Sequence, residues 1–355
     1  MTLKTTSAFV FIVMTVGLVS TIQKDLRLND LQVIGSHNSY KIAIEEPLFR
    51  ILSTMDSARM AALAYDHPPL TDQLGMGLRN LELDVFHDPH GGRYMDPKGL
   101  GMVKSTGSVP LDFDMENKLS QPGLKLFHIQ DIDFRSHDLL FKEGLETLKN
   151  WSVENPDHTP IFILINAKDS KVEGTRDPLT FTAQALDSID LEIRSVFDDA
   201  QLITPDLVRG EFATLEEAIL NEGWPKLSDM KGRFLFVLDE KEAKYSRYLE
   251  KHPGLRKAVL FVNETEGNPN AAFRVINDPI KDFDHISSLV DKGYIVRTRA
   301  DAGTKEARSN DYHRFEKAKA SGAQIISTDY YIRSQLFPSS LEINFGSGKY
   351  ERIQN

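Results

Sequence analysis

Residues 80–85 read Asn-Leu-Glu-Leu-Asp-Val, an apolar run that carries two carboxylates, Glu82 and Asp84, two positions apart. In a strand that spacing sends both side chains to the same face. Seven further short apolar runs ending in polar residues recur along the chain, at 31–35, 124–129, 160–165, 233–238, 258–262, 294–298 and 323–327. Their near-continuous apolar character fits strands buried on both faces of a parallel sheet. Helical periodicity separates several of them, over 141–151, 181–197, 215–220 and 312–320, the last running into Ser321-Gly322 as a stop signal. Eight buried strands with intervening helices predict one α/β domain, a (β/α)8 TIM-type barrel over residues 28–340, followed by a C-terminal tail at 341–355. An open doubly wound sheet fits less well, because no Gly-x-Gly-x-x-Gly turn follows any run. The stretch 168–232 is too long for a simple crossover and is expected to add helices or a small lid at the top of the barrel. No Pro/Gly/Ser-rich linker divides the chain.

The 355 residues carry a formal net charge of −10 and no cysteine. Absence of cysteine excludes disulfides, thiolate zinc sites and cysteine nucleophiles, so any metal is held by oxygen or imidazole. No basic stripe suggests nucleic-acid binding. The acidic balance also opposes an electrostatic grip on anionic membranes, so lipid contact is expected to be local, transient and partly apolar. At the N-terminus Lys4 precedes an apolar run over 8–19, and Lys24, Asp25 and Arg27 follow. A basic flank with an apolar core of about a dozen residues fits a signal peptide or N-terminal anchor over 1–22. It is short of the roughly 20 residues of a spanning helix. An exported monomer is expected.

In a (β/α)8 barrel the chemistry sits at the C-terminal ends of the strands. The runs end in Ser36-His37-Asn38-Ser39, Glu82-Leu83-Asp84, His128, Asn166-Ala167-Lys168, Arg299 with Asp301, and Asp329. Imidazoles, oxygen ligands and cations thus gather at one rim. Two inward carboxylates resist burial unless a cation or hydrogen bonds satisfy them. Hard oxygens suit Ca2+ or Mg2+, while a salt bridge from Arg79 or another base is the alternative for Glu82 and Asp84. His37 and His128 can serve as base and acid near neutral pH, or as hydrogen-bonded scaffold residues. His87 and His90 read as loop residues. Lys168 and Arg299 can hold a phosphate, or pair with Asp169 and Asp301.

The ordered segments LNDLQVIGSHNSYK, LGMGLRNLELDVFHDPHGGRY, LKLFHIQDIDFRS, PIFILINAKDS, LITPDLVRG, MKGRFLFVLD, RTRADAGTKEARSND and SGAQIISTDYY resemble the calcium-dependent phosphoinositide-specific phospholipases C, in particular their bacterial secreted branch. The resemblance spans 28–331. It implies a Ca2+-dependent phosphodiesterase acting on a phosphoinositide or related phosphodiester. By that resemblance His37 is the general base for the inositol 2-hydroxyl and His128 the general acid for the leaving oxygen. Asn38, Glu82 and Asp84 correspond to calcium ligands. Asn166 stands where the family usually has Glu, which leaves two formal carboxylates and implies weaker calcium binding. Two other readings compete. A glycerophosphodiester phosphodiesterase would share the barrel and the acidic site. A catalytically degenerate phosphoinositide- or calcium-binding protein would explain Asn166.

Overall fold

Strands form where every position is buried. Leu31–Ser36 and Asn80–Phe86 have no exposed residue, and Ile161–Ala167 and Phe234–Leu238 repeat the pattern, so both faces of these segments must be covered. The computed structural model describes residues 25–354, and the expected signal or anchor segment at 1–22 lies outside them. In chain order the strands are β1 (Leu31–Ser36), β2 (Asn80–Phe86), β3 (Lys125–Leu126), β4 (Ile161–Ala167), β5 (Phe234–Leu238), β6 (Leu260–Val262), β7 (Phe273–Val275), β8 (Ile295–Arg299), β9 (Ile325–Thr328) and β10 (Glu351–Ile353). Eight of them run parallel in the order β6-β5-β4-β2-β1-β9-β8-β7. A single parallel bridge from Asn263 to Phe273 brings β6 to β7 and all but closes the ring. The expected (β/α)8 barrel is present.

Its staves differ from the expected set at two points. The run at 124–129 is not the third barrel strand: only Lys125 and Leu126 extend, and they pair antiparallel with Phe86 and Val85 at the top of β2. β2 instead lies directly beside β4, with six residues in register from Asn80↔Phe162 to Val85↔Ala167. The missing stave is β7, three residues with Arg274 at their centre, too short and too polar to stand out as a run.

The stretch 168–232 does add helices, but beside the barrel and towards its N-terminal end, not at its top. Helix Ala183–Val196 packs on the outside of the barrel against helices Phe141–Glu154 and Glu242–Lys251. Beyond it, helices Pro205–Arg209 and Leu215–Asn221 lead to the N-terminal end of the barrel. There the fully buried Trp224 donates its indole N–H to Gly293 O at 2.9 Å, and Leu28 N donates to Pro225 O at 3.0 Å. Residues 341–354 fold onto the barrel: Leu341 and Ile343 are buried, and β10 pairs antiparallel with β1.

β1 and β2 approach so closely that a Cβ on Gly35 would lie 2.2 Å from Asn80 O, which requires glycine there. Above that point Ser39 joins the two strands. Its backbone N–H donates to Glu82 O at 2.9 Å, and its hydroxyl accepts from Glu82 N at 2.8 Å. This fixes the turn carrying His37 and Asn38 against the strand carrying Glu82 and Asp84.

Candidate active site

His37 follows β1 directly. Its Nδ1 faces Asp329 Oδ1 at 3.0 Å, just past the end of β9, and its Nε2 lies 3.6 Å from Glu82 Oε1. Arg299, at the end of β8, donates to Asp329 Oδ2 at 3.2 Å. Burial pushes the Asp329 carboxyl up, but His37 and Arg299 outweigh it and hold the group well below the carboxylate range. Asp301 completes the cluster, accepting from Asp329 N at 3.2 Å and from the Thr328 hydroxyl. Burial and the Asp329 charge push its carboxyl up to about 7.

His128 lies in the loop after β3 rather than at a stave end, yet it reaches the same cavity. Its Nδ1 faces Asp133 Oδ2 at 2.7 Å, and Asp133 Oδ1 lies 3.4 Å from the fully buried Lys41 ammonium. Burial lowers the His128 pKa from its ordinary value, and Asp133 offsets part of that. Both rings remain reachable, with 19% of the His37 side chain and 13% of the His128 side chain exposed, while their carboxylate partners are buried.

Glu82 and Asp84 point to one face, as their spacing requires, and both line a cavity of about 800 Å3 at the C-terminal mouth. Each is paired with a cation, though not with Arg79. Arg297 of β8 donates to Glu82 Oε2 at 2.5 Å, and Lys168 Nζ lies 3.1 Å from Asp84 Oδ2. Arg79 instead caps Leu74 O and Leu78 O outside the mouth. Asn166 sits beside Asp84 in register and donates its amide to Glu82 Oε1 at 3.1 Å. Asn38 is buried in a left-handed conformation (φ 50°) that asparagine tolerates.

The cavity therefore gathers His37, Asn38, Glu82, Asp84, His128, Asn166, Lys168 and Arg299. His87 does not line it and lies against Phe181. Sequence reasoning passed over Asp239, just past β5, which lines the same cavity, and Arg297, which holds Glu82. Asp239 could have been found as the polar residue ending the fifth run. Arg297 is hidden inside a run by its own burial. Burial, with Glu82 and Glu240 nearby, pushes Asp239 up to about 7 even against Arg297. Among the described residues no three carboxylate or imidazole side chains form a ready metal cluster. The donor set fits a hard divalent cation only when carboxamides join it: Glu82 and Asp84 with Asn38 and Asn166.

A parallel barrel whose mouth sets two carboxylate-backed histidines beside a hard-oxygen site has the parts of a metal-dependent phosphodiesterase. Residues 26–355 match the family described as phosphoinositide phospholipase C, Ca2+-dependent, and the chain belongs to that family. It is similar to the calcium-dependent phosphoinositol-specific phospholipase C of a Pseudomonas species, solved with myoinositol. The identity is 16%, over 93% of this chain and 96% of that one, with a TM-score of 0.56. It is also similar to the Ca2+-dependent phosphatidylinositol-specific phospholipase C of Streptomyces antibioticus, at 18% identity over 86% of this chain and 95% of that one, TM-score 0.53. At these identities the solved structures establish the shared fold. No curated protein matches the chain. Family membership sets aside the glycerophosphodiester phosphodiesterase that the barrel alone allowed.

Proposed function

We propose that this enzyme cleaves phosphatidylinositol-type lipids, with His37 as general base and His128 as general acid. The observation that carries the reading is the pair of imidazoles on one cavity, each with its Nδ1 on a buried carboxylate. That arrangement leaves each Nε2 to exchange a proton with substrate. His37 Nε2 takes the proton of the inositol 2-hydroxyl, and an oxygen lone pair forms the new bond to phosphorus. The bond from phosphorus to the diacylglycerol oxygen breaks, its electron pair stays on that oxygen, and His128 supplies the proton. The products are diacylglycerol and a cyclic inositol phosphate. Lys168 and Arg299 are the phosphate-binding cations of this reading. Ca2+ held by Asn38, Glu82, Asp84 and Asn166 would acidify the hydroxyl and neutralise charge on the phosphoryl oxygens.

The enzyme works as an exported monomer in transient contact with a lipid surface. The apolar run over 8–19 supports export, and the exposed Val109, Leu111 and Met115, between β2 and β3, support apolar contact. The test is phosphorus NMR of phosphatidylinositol vesicles with enzyme, in calcium or in EDTA. A cyclic phosphodiester signal growing only with calcium is expected. No turnover of phosphatidylinositol in calcium would sink the substrate assignment, and a first product that is an acyclic monoester would sink the attack by the 2-hydroxyl.

A further inference from the structure

Tyr65 has no part in the mechanism above, yet it lies against both histidines and is hydrogen-bonded to Asn38. It follows helix Ser57–Ala62, is 3% exposed, and its ring centroid lies 5.8 Å from that of His37 and 6.4 Å from that of His128. Its hydroxyl accepts a hydrogen bond from Asn38 Nδ2 at 2.6 Å. Its carbonyl accepts from Lys41 Nζ at 2.7 Å, and the same ammonium stands over the ring, 4.6 Å from its centroid. Lys41 is the cation that pairs with Asp133, which holds His128. Two residues on, His67 faces the His37 carbonyl through Nε2 at 2.8 Å and stacks on Tyr331.

We infer that Tyr65 is a positioning residue whose hydroxyl fixes the Asn38 carboxamide so that its carbonyl oxygen, not its NH2, is presented to the cavity. The inference rests on the reading of Asn38 as a calcium ligand. A carboxamide has an acceptor end and a donor end of nearly equal size. Only the acceptor end can bind a cation, and a donor end in its place repels it. Packing alone cannot choose between the two. The Tyr65 hydroxyl can donate as well as accept, but here it accepts from Nδ2, and an NH2 group held there leaves the carbonyl end for the cavity and its cation. The ring is held in turn by Lys41, and its hydroxyl is too buried for water to replace it as acceptor. Partners that orient metal ligands typically change metal affinity roughly 10- to 100-fold when lost.

The test is calorimetric titration of Ca2+ into the full chain, which reads binding without turnover. Tyr65→Phe keeps the ring and the backbone carbonyl and removes only the hydroxyl. Calcium binding is expected to weaken roughly 10- to 100-fold, with the melting temperature held within about 4 °C. Because Tyr65 acts through Asn38, adding Tyr65→Phe to Asn38→Ala should weaken binding no further than Asn38→Ala alone. The discriminating variant is Asn38→Asp, whose side chain offers an oxygen in either orientation. In that background no orientation remains to be chosen, and Tyr65→Phe should cost much less than it does in the wild type. Wild-type calcium affinity in Tyr65→Phe, alongside weakened binding in Asn38→Ala, would reduce Tyr65 to a packing residue. An equal loss on adding Tyr65→Phe to Asn38→Asp would do the same, since packing damage does not depend on which end of residue 38 faces the cation. Unchanged binding in Asn38→Ala would overturn the ligand assignment and this inference together.

Discussion

Each histidine of the proposed acid–base pair has a buried carboxylate behind it. His37→Ala and His128→Ala should each lower kcat by about 10²–10⁴-fold with the fold intact. A substrate whose leaving group has a low pKa needs no protonation, so it should rescue His128→Ala and not His37→Ala. Equal rescue would exchange or dissolve the assigned roles. Asp133 raises the His128 pKa against the depression by burial. Asp133→Asn removes that support, so His128 should lose its proton at lower pH. Since the acid must be protonated to act, the alkaline fall of kcat/KM should move to lower pH in a pH–rate profile. A shift to higher pH would mean that Asp133 does not serve His128 electrostatically. Asn166 donates to Glu82 at 3.1 Å, which leaves its carbonyl oxygen for calcium in the proposed ligand set. Asn166→Glu replaces that hydrogen bond with a third carboxylate. The calcium-free variant should be about 1–2 kcal/mol less stable, while calcium binding tightens, because a charge a few ångströms from the ion outweighs part of the like-charge repulsion. Thermal melts in EDTA and in calcium should therefore show a lower starting point and a larger calcium-induced rise. A smaller rise than in wild type would place residue 166 away from the metal.

Among the elements, the segment between β4 and β5 has two uses: its first residues, Lys168 to Ser170 and Thr180, line the cavity, while the part from Ala183 onward stabilises the barrel away from its chemistry. Trp224 packs its ring against Phe261 of β6 and ties its indole N–H to Gly293, at the turn before β8. It thereby joins two staves at the N-terminal end. Trp224→Ala should cost about 3–5 kcal/mol, the range for emptying a large aromatic site, read as a lower denaturant midpoint with kcat unchanged at low temperature. A loss of activity in step with folded fraction is compatible with this placement. A loss of kcat in fully folded protein is not. The short β3 has the opposite use. It extends β2 upward by an antiparallel pair and so delivers His128 over the mouth from a loop.

Across the whole molecule, buried acids away from the mouth set a pH dependence of stability. Asp190 accepts from both the Tyr248 hydroxyl and Val259 N, and burial pushes its carboxyl up to about 6. Glu192 accepts from Leu124 N, and burial pushes it to about 7. Unfolded, both titrate near pH 4. Between about pH 4 and 7 these two acids therefore bind more protons in the folded state than in the unfolded state, and their contribution to stability falls as pH rises through that window. The buried His67, which burial lowers to about 4, opposes them with a contribution that rises over the same range. In EDTA the double variant Asp190→Asn, Glu192→Gln should gain melting temperature relative to wild type on going from pH 5 to pH 8, and a difference between the two proteins that does not change with pH would refute the account. Below about pH 4 the trend reverses, as the depressed carboxyls of Asp133 and Asp329 take up protons and their ion pairs are lost.

The sequence by itself determined that a parallel barrel forms and pointed to many of the residues at its mouth, though not to Asp239 or Arg297. Strands buried on both faces must be nearly all apolar, so six of the eight parallel staves announce themselves as runs without any knowledge of their neighbours, and a seventh, β6, lies within the run at 258–262. Polar residues at their ends then have one place to go. Tertiary structure alone decided the rest. The run at 124–129 is as apolar as a stave because it too is buried, and only pairing with Phe86 and Val85 makes it antiparallel and short. β7 is a stave because β8 lies beside it, not because Phe-Arg-Val demands it. Which base holds which acid was equally illegible. Glu82 could be matched to a nearby arginine from spacing, but its partner is Arg297, 215 residues away, and the carboxylate behind His37 is 292 residues away. Burial is a property of one residue's chemistry, and composition records it. Pairing is a property of two residues' positions, and only closing the barrel brings those positions together.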